Sequence, residues 1–364
     1  MKYRYTKARD RYAASVIDIL GALYARLRGA RTVSPAEIRT VCFVQLAHIG
    51  DLVLTMPVLN AFKKNSGRKV HLAVNPENAQ WARRLSFVDK VFVVEQPGLR
   101  RGGSCAGGVR RQFADMEADL VFELRGDMRI LPLLKLFSRH KYLAGYAAGG
   151  GGFLLDIVLP YPFGEHIMKT YQGLFGLFGI PEGDMQWDPQ LLPCDPFDCG
   201  LKDYVCLSVG SGTQAKDWGA ENFAALAKML AGRASVVLIG RLAPGQMREY
   251  ESGLASCGNV RNLINKTTLL ESAGVVKGAR LFVGLDSGFT HVSALLGKKT
   301  VALYSGTNPA GVWDPVELFP GQISVIRKEH GCGGCGKTYC HDNVCMRSIT
   351  VEEVYMKALE MAGQ

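Results

Sequence analysis

Apolar positions along the chain fall into two series of short, nearly unbroken runs, each run followed by an amphipathic stretch. The first series has runs at 41–46, 69–75 ("KVHLAVN"), 90–96 ("KVFVVEQ"), 118–126 ("ADLVFELRG") and 141–146 ("KYLAGY"). Helical spacing is read between them: a helix beginning near Pro57, one over Glu77 to Leu85, one over Met128 to Phe137. Unbroken apolar runs, not alternating ones, belong to strands covered on both faces, and such strands form parallel sheets. A Pro-rich stretch, "PEGDMQWDPQLLPCDPFDCG" at 181–200, then predicts a linker over 191–200. The alternation restarts with strands at 204–212, 234–240, 280–285 and 300–304 and helices over "GAENFAALAKML" and 270–279. The predicted fold is α/β. Two Rossmann-like, doubly wound domains, 40–190 and 201–348, face a central cleft, with an amphipathic tail helix over 349–364. Two Gly-rich stretches, 100–111 and 147–152, are expected as flexible loops; the first is rich in Arg and is also a candidate phosphate or acceptor loop.

The chain has 364 residues, too many for one ordinary core and suited to about two domains. Its hydrophobic content of 48% and charged content of 21% are those of a globular protein. No apolar run is long enough to span a bilayer, and the start carries charge without the apolar stretch of a secretory signal, so a cytoplasmic location is expected. The net charge is +10, and residues 1–39 carry nine Lys and Arg against three Asp and Glu. There Tyr12, Val16, Ile19, Leu20, Leu23 and Leu27 recur at helical spacing. Two readings stand: a basic amphipathic helix lying on an anionic inner-membrane surface, or a helix docked on the first domain with a solvated basic face. No basic patch recurs downstream, so nucleic acid is not expected as a partner.

In open α/β sheets, ligands bind beyond the carboxyl ends of the strands. After the first strand comes His48-Ile49-Gly50-Asp51. Asp51 can serve as a general base or as a helix cap. After 204–209 come Ser211-Gly212-Thr213 and Lys216, small residues that expose backbone N–H groups and a cation suited to a diphosphate. After 280–285 comes Asp286-Ser287-Gly288, with His291 one turn into a helix. The helix N-terminus favours an anion; Asp286 would cap the helix or hold a sugar hydroxyl, and His291 would donate to the ligand or fill the core. Carboxylates spaced Asp-x-Asp, a common way of holding a diphosphate through a metal, do not occur. No G-x-G-x-x-G follows a strand, which argues against a dinucleotide-dependent dehydrogenase.

Six of the ten cysteines are scattered, and Cys42 and Cys206 lie in strand-like runs as core residues. The other four, Cys332, Cys335, Cys340 and Cys345, have the spacing C-x2-C-x4-C-x4-C. Clustered thiols suit a structural Zn or Fe site, or remain reduced thiols in an ordered loop.

The chain resembles glycosyltransferase family 9, the ADP-heptose lipopolysaccharide heptosyltransferases and their relatives, over roughly residues 40–360. The resemblance rests on "IGDLVLTMPVLNAFKK", "LRGD" at 124–127, "GSGTQAKDW" at 210–218 and "LFVGLDSGFTHVSALLGKKTVALYSGTNPAGVWDP" at 281–315. It implies a GT-B fold, an acceptor-binding first domain, a second domain for the nucleotide sugar, and inverting transfer with no metal or other cofactor in catalysis. It implies Asp51 as general base, Ser211 and Lys216 as diphosphate ligands, and Asp286, Ser287, Gly288 and His291 around the diphosphate and donor sugar, with Thr213 in the same loop as Ser211. The expected partners are an ADP-linked sugar donor and a lipopolysaccharide-core or other lipid-linked acceptor. A protein-glycosylating relative, a GT-B nucleotide-sugar epimerase and a non-catalytic binding module are the alternatives. One departure bears on the nucleotide: where relatives carry an acidic residue for the ribose, this chain has "RLAPGQMREY" (241–250), offering Gln246 or Glu249.

Overall fold

The computed structural model describes residues 8–29, 31–95, 106–183, 185–243, 245–248, 250, 258–315 and 319–363. The chain divides into two compact units, Met1–Trp187 and Asp188–Gln364. Residues 191–200, expected as a linker, are fixed to the second unit. Leu192 and Cys199 are buried, and the Asp195 amide donates to the Leu270 carbonyl at 3.0 Å.

The first unit has strands β1 (Thr40–Gln45), β2 (Lys69–Val74), β3 (Lys90–Val93), β4 (Glu117–Glu123), β5 (Arg139–Tyr146) and β6 (Ile157–Leu159). They pair in the order β3-β2-β1-β4-β5-β6, every pairing parallel. The strands are the apolar runs of the sequence, and Val41, Phe43, Leu72 and Leu120 are fully buried. Helix α1 (Ala8–Arg28) precedes the sheet. Helix α2 (Ile49–Ser66) begins well before Pro57, which lies inside it. An internal proline costs about 3 kcal/mol in an exposed helix. Here every residue from Asp51 to Phe62 is buried, and each large apolar side chain so covered contributes about 1.5–3 kcal/mol, so tertiary burial outweighs the lost bond. Short helices α3 (Ala79–Ala82), α4 (Ala106–Ala114), α5 (Leu131–Phe137) and α6 (Ile167–Tyr171) complete the unit. Of the Arg-rich stretch at 100–111, residues 100–105 lie outside the described residues, and the remainder is helical from Ala106. The second Gly-rich stretch is no flexible loop. Residues 148–151 are buried, and Gly150 and Gly151 take positive φ, 84° and 80°, in a tight turn beneath α1.

The second unit repeats the plan. Strands β7 (Tyr204–Val209), β8 (Ser235–Gly240), β9 (Val260–Asn262), β10 (Leu281–Leu285), β11 (Thr300–Tyr304) and β12 (Ile323–Arg327) pair in the order β12-β11-β10-β7-β8-β9, again all parallel. Helices α7 (Ala220–Ala231), α8 (Leu269–Gly278), α9 (Gly288–Leu295), α10 (Val344–Arg347) and α11 (Val351–Ala362) surround it. Thr268 caps α8 in a reciprocal capping box with Glu271, and Thr350 caps α11. Helix α11 packs on α7 and the β10–β12 strands, burying Val354 and Ala358 in this unit's own core.

In each sheet the chain winds outward from its first strand and then returns to that strand's other side. The switch points are β1/β4 and β7/β10, where crevices open at the carboxyl ends of open α/β sheets.

Candidate active site

The first unit's polar cluster lies at the β1/β4 switch point. His48 is the N-cap of α2 and Asp51 stands in its first turn. The Asp51 side chain does not cap the helix. Its Oδ1 accepts a hydrogen bond from the Tyr171 hydroxyl at 3.0 Å and lies 3.8 Å from Arg125 Nε. Of the two local readings of Asp51, the cap is therefore set aside. Behind it, Thr55 Oγ1 donates to the Asp51 carbonyl at 2.7 Å and accepts from Gln45 Nε2 at 3.0 Å, so the last residue of β1 fixes the first turn of α2.

Arg125 comes from the "LRGD" segment after β4. The Glu123 carboxylate accepts from the Arg125 amide at 3.2 Å and the Asp127 amide at 2.9 Å. Gly126 has φ of 63°, and a Cβ there would stand 2.8 Å from the Tyr146 carbonyl oxygen. Only glycine fits this turn without displacing β5. Burial lowers the Arg125 pKa, but Asp51, Tyr171, Glu123 and Asp127 outweigh it and leave it raised, so the guanidinium stays charged. Burial, then the nearby Asp51, push the Tyr171 phenol well above its usual value. Tyr171 therefore stays protonated and donates. Sequence reasoning missed Tyr171 and gave Arg125 no role. Tyr171 lies in a one-turn helix far along the chain from Asp51, with no local pattern to mark it.

The second unit's cluster lies at the β7/β10 switch point. Lys216 ends the short turn after β7, and its Nζ is 2.7 Å from Asp286 Oδ2 at the end of β10. Asn308 Nδ2 also approaches that oxygen, at 3.4 Å. Asp286 thus makes no helix cap, one of the two roles expected of it. Ser287 is the N-cap position of α9, and its side chain makes no capping bond. Ser287 and Gly288 form the helix start, and His291 is buried one turn on. Ser211 Oγ donates to the Thr213 carbonyl at 2.6 Å, and Thr213 Oγ1 is shielded with no hydrogen-bond partner among the described residues. Gln246, considered for a ribose contact, accepts from the Ala243 amide at 3.2 Å. Glu249 lies outside the described residues.

A segment read from the sequence as a metal site or as reduced thiols in an ordered loop ties this cluster together. The Ala215 amide donates to the Thr338 carbonyl at 3.2 Å, and the Cys340 amide to Gln214 Oε1 at 3.0 Å. Asn343 Nδ2 donates to the Asp217 carbonyl at 2.9 Å. The amides of Gly334 and Gly336 donate to the carbonyls of Gly306 and Thr307 at 2.7 and 2.9 Å. The Cys-rich loop is thereby joined to the loops after β7 and β11. Its thiols do not converge. Cys345 is buried in the core beside Gly306 and Gly333, Cys332 is exposed, and Cys335 and Cys340 are half-buried. Among the described residues no three His, Cys, Asp or Glu side chains stand together as metal ligands. The arrangement does not fit the expected Zn or Fe site.

The profile of glycosyltransferase family 9 (heptosyltransferase) matches residues 111–339, more than half of the chain. The chain is 26% identical to lipopolysaccharide heptosyltransferase 1 of Pseudomonas aeruginosa over 277 residues, 72% of this chain and 67% of the relative. E. coli heptosyltransferase WaaC, solved with ADP, superposes with a TM-score of 0.72 at 19% identity, covering 88% of this chain and 99% of that one. The iron-containing dodecameric glycosyltransferase TibC of enterotoxigenic E. coli superposes at 0.54 and 16% identity, covering 89% of this chain and 76% of that one. These likenesses carry the expected GT-B fold, and the profile carries the activity class. The chain belongs to glycosyltransferase family 9, the heptosyltransferase family.

Proposed function

We propose that the protein transfers a heptose from an ADP-heptose donor to a lipopolysaccharide-core or related lipid-linked glycan, with inversion and without a catalytic metal or other cofactor. The observation that carries this reading is the Lys216–Asp286 pair at 2.7 Å, which sets an ammonium at the β7/β10 switch point beside the N-terminus of α9. An ammonium and a helix N-terminus together suit a diphosphate without a bridging cation. WaaC was solved with ADP and with an ADP-2-deoxy-2-fluoro heptose, which supports ADP as the nucleotide.

In this reading Lys216, with the backbone amides around Ser211, Thr213, Ser287 and Gly288, binds the diphosphate. Asp286 orients Lys216, and His291 packs against the donor sugar. Asp51 takes the proton of the acceptor hydroxyl. That oxygen bonds to the anomeric carbon as the bond to the β-phosphate breaks, and the diphosphate leaves with its electron pair. Arg125 and Tyr171 hold the Asp51 carboxylate in place. The four cysteines take no part in the step. A structural Zn or Fe on them, still suggested by their spacing, would require Cys345 to leave the core. Metal analysis of the purified chain tests that directly, a full equivalent per chain supporting it and none opposing it.

The test of function is release of ADP from ADP-heptose with and without a heptose-free lipopolysaccharide-core acceptor, with the product isolated. Transfer that falls about 10²–10⁴-fold in Asp51→Asn supports the reading. An altered nucleotide sugar formed without acceptor would make the protein an epimerase. Transfer to protein alone would reassign the acceptor.

A further inference from the structure

Helix α1 is turned the opposite way from a helix that covers a core. The side facing the first unit is made of small residues. Ala14 is buried against Gly150, Asp18 Oδ1 accepts from the Gly151 amide at 2.8 Å, and Gly21 sits so close to the Phe153 ring that a Cβ there would clash. Tyr24 adds an edge contact to the same ring, with centroids 6.3 Å apart. At 100° per residue these positions define one side of the cylinder. The opposite side carries Tyr12 (74% exposed), Ile19 (69%), Leu20 (72%), Leu23 (64%) and Leu27 (81%). Spacings of three, four and seven align them in one stripe along a helix about 30 Å long. A folded chain seldom leaves a stripe of that size to water. The helix docks on the first unit, as one of the two readings of this segment has it, and its solvent side carries this apolar stripe beside exposed arginines.

The charges near the stripe select its occupant. Arg9 and Arg11 at one end of α1 and Arg26 near the other are exposed, within a segment carrying nine Lys and Arg against three Asp and Glu. A second copy of this chain would bring the same positive charge to the contact. An anionic bilayer surface takes both features, the apolar stripe at the acyl boundary and the arginines among the head groups. No helix among the described residues is long and apolar enough to cross a membrane, so the contact would be peripheral.

We infer that the outward face of α1 is a membrane-docking surface that lies flat on an anionic lipid layer and fixes the first unit to it through Asp18, Gly21 and Phe153. The inference deepens the functional reading above, since a lipid-linked acceptor would be met at that layer. Its test uses binding and not transfer, so the two fail separately.

Flotation of the purified full-length chain with phosphatidylcholine vesicles, with and without about a third phosphatidylglycerol, measures it. Binding is expected to the anionic vesicles, weakening as salt is raised, with little on phosphatidylcholine alone. The triple variant Leu20→Glu/Leu23→Glu/Leu27→Glu changes only exposed positions, so it should fold and keep any ADP-induced rise in Tm. It should bind anionic vesicles at least about tenfold more weakly. Arg26→Gln should weaken binding about fivefold. Absence of vesicle binding, or equal binding by the triple variant, overturns the inference. So does a wild-type dimer in lipid-free solution that the triple variant turns into a monomer, because a second copy would then cover the stripe.

Discussion

Asp51 is presented by three neighbours that do different things. Tyr171 donates to it, Arg125 supplies a partly exposed positive charge, and Thr55 anchors its backbone. Removing the tyrosine hydroxyl leaves the carboxylate loosely aimed. Tyr171→Phe is expected to lower kcat for transfer about tenfold to a hundredfold with little change in donor KM, since only the aim of the base is disturbed. Steady-state kinetics with saturating acceptor check this. A change confined to donor KM would place Tyr171 outside the reacting centre. The second cluster is a single ion pair, and Lys216 is only partly exposed while Asp286 is buried. Neither pair was legible in the sequence. Asp51, Lys216 and Asp286 were marked by their places just after strands, but which side chains pair was not, because the partners come from distant segments that only the assembled sheets bring together.

At the level of elements, the β-strand runs were easiest to read because parallel strands covered on both faces must be apolar throughout. The strands missed, β6, β9 and β12, are edge strands: two have only three residues, and β12 is partly exposed. An edge strand in contact with one neighbour carries too few obligate apolar positions to stand out. Pro57 misplaced a helix start because local propensity was read without the burial that overrides it. The joining of the Cys-rich loop to the loops after β7 and β11 was invisible for another reason, being made mostly of backbone amides and carbonyls, which every sequence has. Gln214 and Asn343 supply the two side-chain bonds of that junction. A double Gln214→Ala/Asn343→Ala variant should lose about 1–3 kcal/mol of loop order and so raise donor KM several-fold while kcat stays within about twofold. Kinetics at varied ADP-heptose read both numbers. An unchanged KM would mean that the Cys-rich loop does not set the donor loops.

Across the whole molecule, two histidines of the first unit make its stability depend on pH. Burial, most of all, lowers the pKa of His71 below its ordinary 6.5, offset in part by a bond to the Glu117 carbonyl; burial and then Lys135 lower that of His140. The unfolded chain therefore binds protons near pH 6.5 that the folded unit refuses. Stability from this source is complete above that pH and is lost as pH falls below it. The fall in Tm between about pH 7.5 and 5.5 should be smaller in His71→Gln/His140→Gln than in the wild type; equal falls would assign the acid sensitivity elsewhere. The division into two units of one plan was written in the repeat of the strand pattern. The outward turn of α1 was not, because spacing shows that a face is apolar but not which way it points.

In the proposed activity an ADP-sugar diphosphate is held by Lys216. The most direct measurement is thermal unfolding with ADP, UDP, GDP or NAD, for the wild type and Lys216→Ala. Selective ADP binding should stabilise the wild type by about 2.7 kcal/mol at a hundredfold excess over Kd, well above the other nucleotides, and the shift should vanish in Lys216→Ala. A shift with UDP or GDP instead would contradict the heptose donor. No shift at all, or one that survives loss of Lys216, would contradict the site.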